Sequence, residues 1–109
     1  MNTLADLTSA LLHFRDERDW AQFHNPKDLA VALSIESAEL LEVYLWKAAD
    51  SVDQMRVREE LADVFVYALL LASHYELDVA EIVEEKIRKN AERYPVEKSR
   101  GRATKYDEL

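Results

Sequence analysis

Apolar residues recur along this chain at spacings of three and four residues, which is the period of an amphipathic helix. The first such stripe is formed by Leu4, Leu7, Leu11 and Phe14. Thr3 is a favourable N-cap residue, so the pattern predicts a first helix from there to about Asp19. Asn25 followed by Pro26 is a strong helix start, and it predicts a second helix that runs to Lys47 or beyond.

A third helix is predicted after a turn at residues 49–52. Ser51 and Gln54 resemble a capping box at its start, and its apolar period reaches about Tyr75. The longest uninterrupted apolar run in the chain, Val64–Ala72, lies within this helix and is too short to span a bilayer. We therefore expect no membrane-spanning segment.

A fourth helix is predicted from Asp78 and Glu81, which repeat the capping spacing. It must end near Tyr94, because Pro95 disfavours helical geometry in the residue before it. Residues 96–109 are polar and irregular in pattern, and no part of the chain alternates like a strand. The sequence thus predicts a single all-α domain of 109 residues, built as a four-helix bundle.

Four carboxylates stand out because they lie on the apolar stripes of two neighbouring helices. Glu36 and Glu39 are three residues apart on the second helix, and Glu60 and Asp63 repeat this spacing on the third. Carboxylates that face the interior of a bundle repel one another unless a cation lies between them. Oxygen ligands of this kind favour Mg²⁺ or Mn²⁺. The alternative is that these acids decorate solvated helix turns, where the helix dipole favours negative charge.

Charge and composition narrow the classes of function. The net charge of −8 argues against a general nucleic-acid binder, yet residues 86–105 carry eight basic and two acidic residues. That segment has a charge of +6 and the rest of the chain −14, which suits a small polyanion that arrives with its own cation, although a solvated basic tail is also common. The absence of cysteine is compatible with a reducing cytoplasm, where we expect the protein to be.

The single glycine, Gly101, excludes two common ways of holding a phosphate. Neither a P-loop nor a Gly-rich dinucleotide fingerprint is present, so bound phosphates would have to meet a metal ion and basic side chains. Trp20, Phe23 and Trp46 lie in a loop or near a helix end, and they are candidates for stacking on a base. For each of them, a place in the core is the alternative.

These residues together resemble the MazG-like nucleoside triphosphate pyrophosphohydrolases, and within them the dCTP pyrophosphatase branch. The ExxE…ExxD pattern of the four carboxylates is the metal signature of that family. The similarity spans roughly residues 4 to 109. It includes Glu17-Arg18-Asp19-Trp20, Gln22-Phe23-His24, Pro26, Trp46-Lys47, Glu59-Glu60-Leu61, Asp63-Val64, Lys86, Asn90, Arg93-Tyr94-Pro95, Lys105-Tyr106 and Glu108-Leu109.

The resemblance implies an all-α enzyme that cuts a nucleoside triphosphate between its α and β phosphates. Glu36, Glu39, Glu60 and Asp63 would hold Mg²⁺, and Glu36 would also take the proton of the attacking water. By the same analogy the substrate-binding residues would be Trp20, Gln22, Phe23, His24, Trp46, Tyr67, Lys86, Asn90, Arg93, Tyr94, Lys105 and Tyr106. The family pairs its subunits, often as a dimer of dimers, and residues 95–109 would close over or near the site.

Two alternatives remain open from the sequence. The same chemistry would act on another nucleotide, such as dUTP or a non-canonical triphosphate, if only the base pocket differed. A non-enzymatic helical interaction module would instead keep the carboxylates solvated and gain no stability from Mg²⁺.

Overall fold

The computed structural model describes residues 3–109, and all of its regular elements are helical. The helices are α1 (Leu4–Glu17), α2 (Pro26–Glu42), α3 (Gln54–His74), α4 (Val79–Arg93) and α5 (Val96–Ser99), with 3₁₀ turns at Ala21–Phe23 and Tyr106–Glu108. Within these residues no strand is present, so the predicted all-α class is confirmed. None of the helices in this range is long and apolar enough to cross a membrane.

Three helices begin at the predicted capping residues. The side chains of Thr3, Asn25 and Asp78 each accept a hydrogen bond from the backbone N–H three residues further on, at 3.0, 2.9 and 3.2 Å. Each bond satisfies a donor at a helix start that has no partner within the helix. Short polar side chains therefore determine where α1, α2 and α4 begin.

The start of α3 and the end of α1 differ from the prediction. The capping box predicted at Ser51 is wrong, because Asp53 is the N-cap residue and accepts a bond from the N–H of Met55 at 3.0 Å. Helix α1 ends at Glu17, two residues before the predicted limit. Asp19 has a φ of 53°, in the left-handed region, and cannot continue a right-handed helix.

Helix α2 ends at Glu42, so the prediction that it extends to Lys47 is wrong. The N–H groups of residues 43–45 bond to the carbonyl three residues back, which tightens the last turn. Trp46 then has a φ of 62° and turns the chain away from the helix axis. Apolar residues continue past the end of α2 because residues 43–46 form a compact turn and not a further turn of α-helix.

The chain falls into two compact units, one ending at Leu77 and the other spanning Asp78–Leu109. In the first unit α2 and α3 make the most extensive contact, and α1 packs on α3. The buried apolar core is formed by Leu29, Val43, Leu69, Leu70 and Ala72. In the second unit, the tail predicted to be irregular contains α5 and a 3₁₀ turn. That residues 1–109 make a single domain stays a prediction.

Candidate metal centre and adjoining pocket

The contact between α2 and α3 brings three of the four predicted carboxylates together. Glu36 lies six residues before the end of α2, and Glu60 lies six residues after the start of α3. An antiparallel pair of helices therefore places the two residues at the same height along the helix axes. Asp63 follows Glu60 by almost one turn. One oxygen from each of Glu36, Glu60 and Asp63 lies within 4.8 Å of the other two. This spacing allows all three to contact one cation.

Two oxygens of this cluster are buried without a hydrogen-bond partner. Glu36 Oε2 and Glu60 Oε2 have no donor among the described residues, although both atoms are shielded from water. A buried carboxylate oxygen in that condition loses its hydration and gains nothing in return. A divalent cation would supply the missing interaction, so the donor set fits such an ion.

The electrostatics of the cluster point the same way. Burial, the neighbouring carboxyl group of Glu39, and the negative charges of Asp63 and Glu60 raise the pKa of Glu36 to about 7. Burial, followed by the charge of Glu39, also raises the pKa of Glu60. Protonation relieves the repulsion when no cation is bound, and a bound cation would relieve it instead.

Glu39, the fourth predicted ligand, is half-buried beside this cluster. Its carboxyl group lies close enough to influence both Glu36 and Glu60. That Glu39 is itself a ligand stays a prediction.

An open pocket of about 320 Å³ adjoins the cluster, and Glu36 and Asp63 form part of its wall. Three predicted substrate-binding residues, Trp20, His24 and Tyr67, line the same pocket. The rest of the wall is formed by residues that were not predicted to belong to a site, namely Leu11, Phe14, Arg15, Val66 and Leu70. The pocket is therefore largely apolar, with two carboxylates in its wall.

The sequence gave some indication of the wall residues that were not predicted. Leu11 and Phe14 belong to the stripe of α1, while Val66 and Leu70 follow Asp63 at helical spacing on α3. An apolar stripe predicts burial, but it does not distinguish a packed core from a pocket wall. Arg15 gave no signal, since basic residues on a helix are usually exposed.

His24 contributes a second unpaired polar side chain to the pocket wall, beside Glu36. Its Nδ1 is buried and has no hydrogen-bond partner among the described residues. Burial and the positive charge of Arg15 lower the pKa of His24, which favours the neutral imidazole. Arg15 is itself held by Asp16, with Nη2 2.8 Å and Nε 2.9 Å from the same carboxylate oxygen.

Three other predicted residues of the first unit do not line this pocket. Phe23 is 62% exposed and Trp46 is 99% exposed. The side-chain amide of Gln22 donates to the backbone carbonyl and to the carboxylate of Asp19, both at 3.0 Å. Their roles in substrate binding stay predictions.

The remaining predicted residues belong to the second unit. Lys86, Asn90 and Arg93 follow one another at helical spacing, so they share one side of α4. The guanidinium of Arg93 lies 4.7 Å from the ring centroid of Tyr106, and the ring of Tyr94 meets the same ring edge-on at 6.1 Å. The other members of the predicted set in this unit are Lys105 and Tyr106.

Fold and site together define an all-α protein whose first unit carries a carboxylate cluster, fit for a divalent cation, at the wall of an apolar pocket. Comparison with known proteins agrees with this class. Residues 31–109 match the MazG-like family. The chain is 39% identical to mouse dCTP pyrophosphatase 1 and 36% identical to the human protein of that name, over 98% of this chain and 68% of each relative.

A solved structure is also similar. The crystal structure of a pyrophosphatase from Archaeoglobus fulgidus has a TM-score of 0.78 and 41% sequence identity to this chain, covering 84% of this chain and 91% of that one. This chain belongs to the MazG-like family. The family resemblance expected from the carboxylate pattern is thus confirmed.

Proposed function

We propose that this protein is a metal-dependent nucleoside triphosphate pyrophosphohydrolase that releases a nucleoside monophosphate and pyrophosphate. The observation that carries the proposal is the carboxylate cluster, with its buried unpartnered oxygens, at the wall of a pocket of about 320 Å³. dCTP or a modified dCTP is the proposed substrate, because the named mammalian relatives are dCTP pyrophosphatases. Those names also favour an enzyme over a non-catalytic interaction module.

The proposed cofactor is Mg²⁺, with Mn²⁺ as a substitute. Glu36, Glu39, Glu60 and Asp63 would hold it, since hard divalent cations prefer carboxylate oxygens. Such an ion, when bound, neutralises phosphate charge and lowers the pKa of a coordinated water.

Glu36 is the proposed general base. It belongs to both the cluster and the pocket wall, so its carboxylate lies where the cation and the nucleotide would meet.

The pocket would take the nucleoside end of the substrate. Its volume is at the small end of the range for ligand sites, which suits a base and sugar with the phosphates directed toward the carboxylates. Trp20 would stack on the base, the free Nδ1 of His24 would hydrogen-bond to a polar edge, and Tyr67 would contact the sugar. The residues proposed to meet phosphates or to close the site are Lys86, Asn90, Arg93, Tyr94, Lys105 and Tyr106, and residues 95–109 carry the last two.

We include a homo-oligomer, a dimer or a dimer of dimers, in this proposal. Val31 and Ile35 on α2, and Leu61 and Phe65 on α3, are exposed apolar pairs at a spacing of four residues. A second copy would cover such pairs. Trp46, which is exposed in the single chain, would then reach the pocket of the partner copy together with Phe23.

The proposed biological role is the removal of unwanted nucleotides from the cellular pool. A cytoplasmic location, expected from the cysteine-free sequence, stays a prediction.

The test is product identification after incubation with dCTP and Mg²⁺, beside 5-methyl-dCTP, dUTP, dTTP and dATP, with and without EDTA. We expect monophosphate and pyrophosphate, strongest from the cytosine nucleotides and lost on chelation. Asp63→Ala should abolish turnover while leaving the circular dichroism spectrum unchanged, because it removes a ligand and also relieves repulsion.

The matched control is Asp50→Ala, which changes an exposed acid in the loop between α2 and α3. It should retain activity. Turnover that survives in Asp63→Ala would refute the metal assignment, and phosphate release without pyrophosphate would refute the bond that is proposed to be cut.

A further inference from the structure

The turn between α1 and α2 holds a pocket residue in place through a strained backbone position. Asp19 has a φ of 53°, although it is not glycine, and it immediately precedes Trp20 in the pocket wall. A non-glycine residue in this region is disfavoured and persists only where its surroundings hold it. The direction in which the Trp20 ring leaves the chain depends on this turn.

Gln22 supplies the side chain that holds the turn. Its Nε2 donates to both the carbonyl oxygen and the carboxylate of Asp19, each at 3.0 Å. Both amide protons are thereby used within the loop, which leaves the amide nitrogen with no donor for a substrate. The backbone N–H of Trp20 bonds in turn to the carbonyl of Arg15 at 3.1 Å, so the turn is tied back to α1.

The ring of Trp20 is braced from the other side by α1. Phe14 meets it edge-on, with ring centroids 5.8 Å apart and planes at 73°. Arg18 covers Phe14, with its guanidinium carbon 3.7 Å from the ring centroid, and donates to the Phe14 carbonyl at 2.9 Å. The aromatic contact and the turn therefore both bear on the orientation of the Trp20 ring.

We infer that Gln22 is a positioning residue that acts through the left-handed backbone of Asp19 to orient Trp20, and that it does not contact the nucleotide. This inference deepens the proposed function and rests on it for its kinetic consequences. The role differs from the substrate contact expected from the family resemblance. If Gln22 has this role, it should become dispensable for orienting Trp20 once residue 19 adopts a positive φ without support.

Glycine at position 19 provides that condition, since glycine adopts a positive φ without a steric penalty. We expect Gln22→Ala, which removes both bonds to Asp19, to raise KM for dCTP by roughly 2–10-fold, a factor of the size of one net hydrogen-bond contribution, with little change in kcat. The double variant Asp19→Gly/Gln22→Ala should return KM to the value of Asp19→Gly alone. Gln54→Ala, which removes the other glutamine of the chain at the start of α3, is the matched control and should leave KM unchanged.

A spectroscopic arm uses the metal-free protein without nucleotide, so it does not depend on the proposed activity. In a Trp46→Phe background Trp20 is the only tryptophan. Gln22→Ala should lower the fluorescence anisotropy of Trp20 and increase its quenching by acrylamide, and adding Asp19→Gly should reverse both changes. If the wild-type protein did not hydrolyse the nucleotide, the fluorescence measurements would still test the role of Gln22. Only the predicted changes in KM would be overturned.

Three outcomes would overturn the inference. A KM that stays high in the double variant would show that Gln22 contacts the substrate directly. Unchanged Trp20 anisotropy in Gln22→Ala would show that the turn does not orient the ring. A lower melting temperature without any change in KM or anisotropy would leave Gln22 with a role in stability alone.

Discussion

The affinity of the carboxylate cluster for a divalent cation should fall steeply as the solution becomes acidic. A cation must displace the proton from Glu36, whose pKa is raised to about 7 by burial and by its acidic neighbours. With that pKa, the ionised fraction of Glu36 falls from about 90% at pH 8 to about 50% at pH 7 and about 10% at pH 6. The apparent dissociation constant should therefore rise about tenfold from pH 8 to pH 6.

Glu60 adds to this slope, because its pKa is raised as well. The assay is isothermal titration calorimetry with MnCl₂ or MgCl₂ at pH 6, 7 and 8, without nucleotide. Glu36→Gln should bind more weakly and with a shallower pH dependence, since it removes the main titrating ligand. The control is Glu59→Gln, which changes an exposed acid next to Glu60 but outside the cluster. It should retain the pH dependence of cation affinity seen in the wild type.

Equal affinity at pH 6 and pH 8 in the wild type would refute the reasoning. An identical slope in the wild type and in Glu36→Gln would also refute it, because the proton would then be displaced from another group.

Three further predictions concern stability and binding. Without metal, the melting temperature should fall as the pH rises from about 5 to 8. The reason is that the pKa of Glu36 is raised from 4.5 to about 7 in the folded state, so its protonated form favours the fold at low pH and this contribution is lost as the group ionises. The fall should be smaller in Glu36→Gln, which cannot ionise. Leu69→Ala should lower the free energy of unfolding in urea by about 2–5 kcal/mol, since Leu69 is buried, whereas Leu41→Ala, at an exposed position, should change it by less than about 1 kcal/mol. Trp46→Ala should raise KM more than it lowers kcat in steady-state kinetics, and an unchanged KM would remove Trp46 from the substrate site.

The starts of α1, α2 and α4 were the parts of the fold most open to prediction, and the ends of α1 and α2 were the least. The caps at Thr3, Asn25 and Asp78 depend on one side chain and the backbone next to it, so they can be read locally. The ends of α1 and α2 depend on left-handed backbone at Asp19 and Trp46. Neither residue is glycine, so the residue type at these positions did not indicate a left-handed backbone.

For the candidate site, local spacing predicted the carboxylates but not the pocket beside them. Glu36, Glu60 and Asp63 could be grouped because helical spacing and an unusual apolar setting are both visible in the sequence. The part of the wall formed by Leu11 and Arg15 comes from α1, and whether that helix covers α3 closely or leaves a cavity depends on packing between distant segments.

The sequence by itself determined the helical class, most of the helix starts, the acidic character of the site and the family resemblance, because each of these depends on residues near one another in the chain. Only the tertiary structure decided which carboxylate oxygens are buried without partners, where the apolar pocket lies, and that the amide of Gln22 is bonded to Asp19. Those features arise from the approach of α1, α2 and α3 and from the backbone geometry of a turn. Periodicity determines which side of a helix is apolar, whereas the space left between helices is determined by the packing of their side chains.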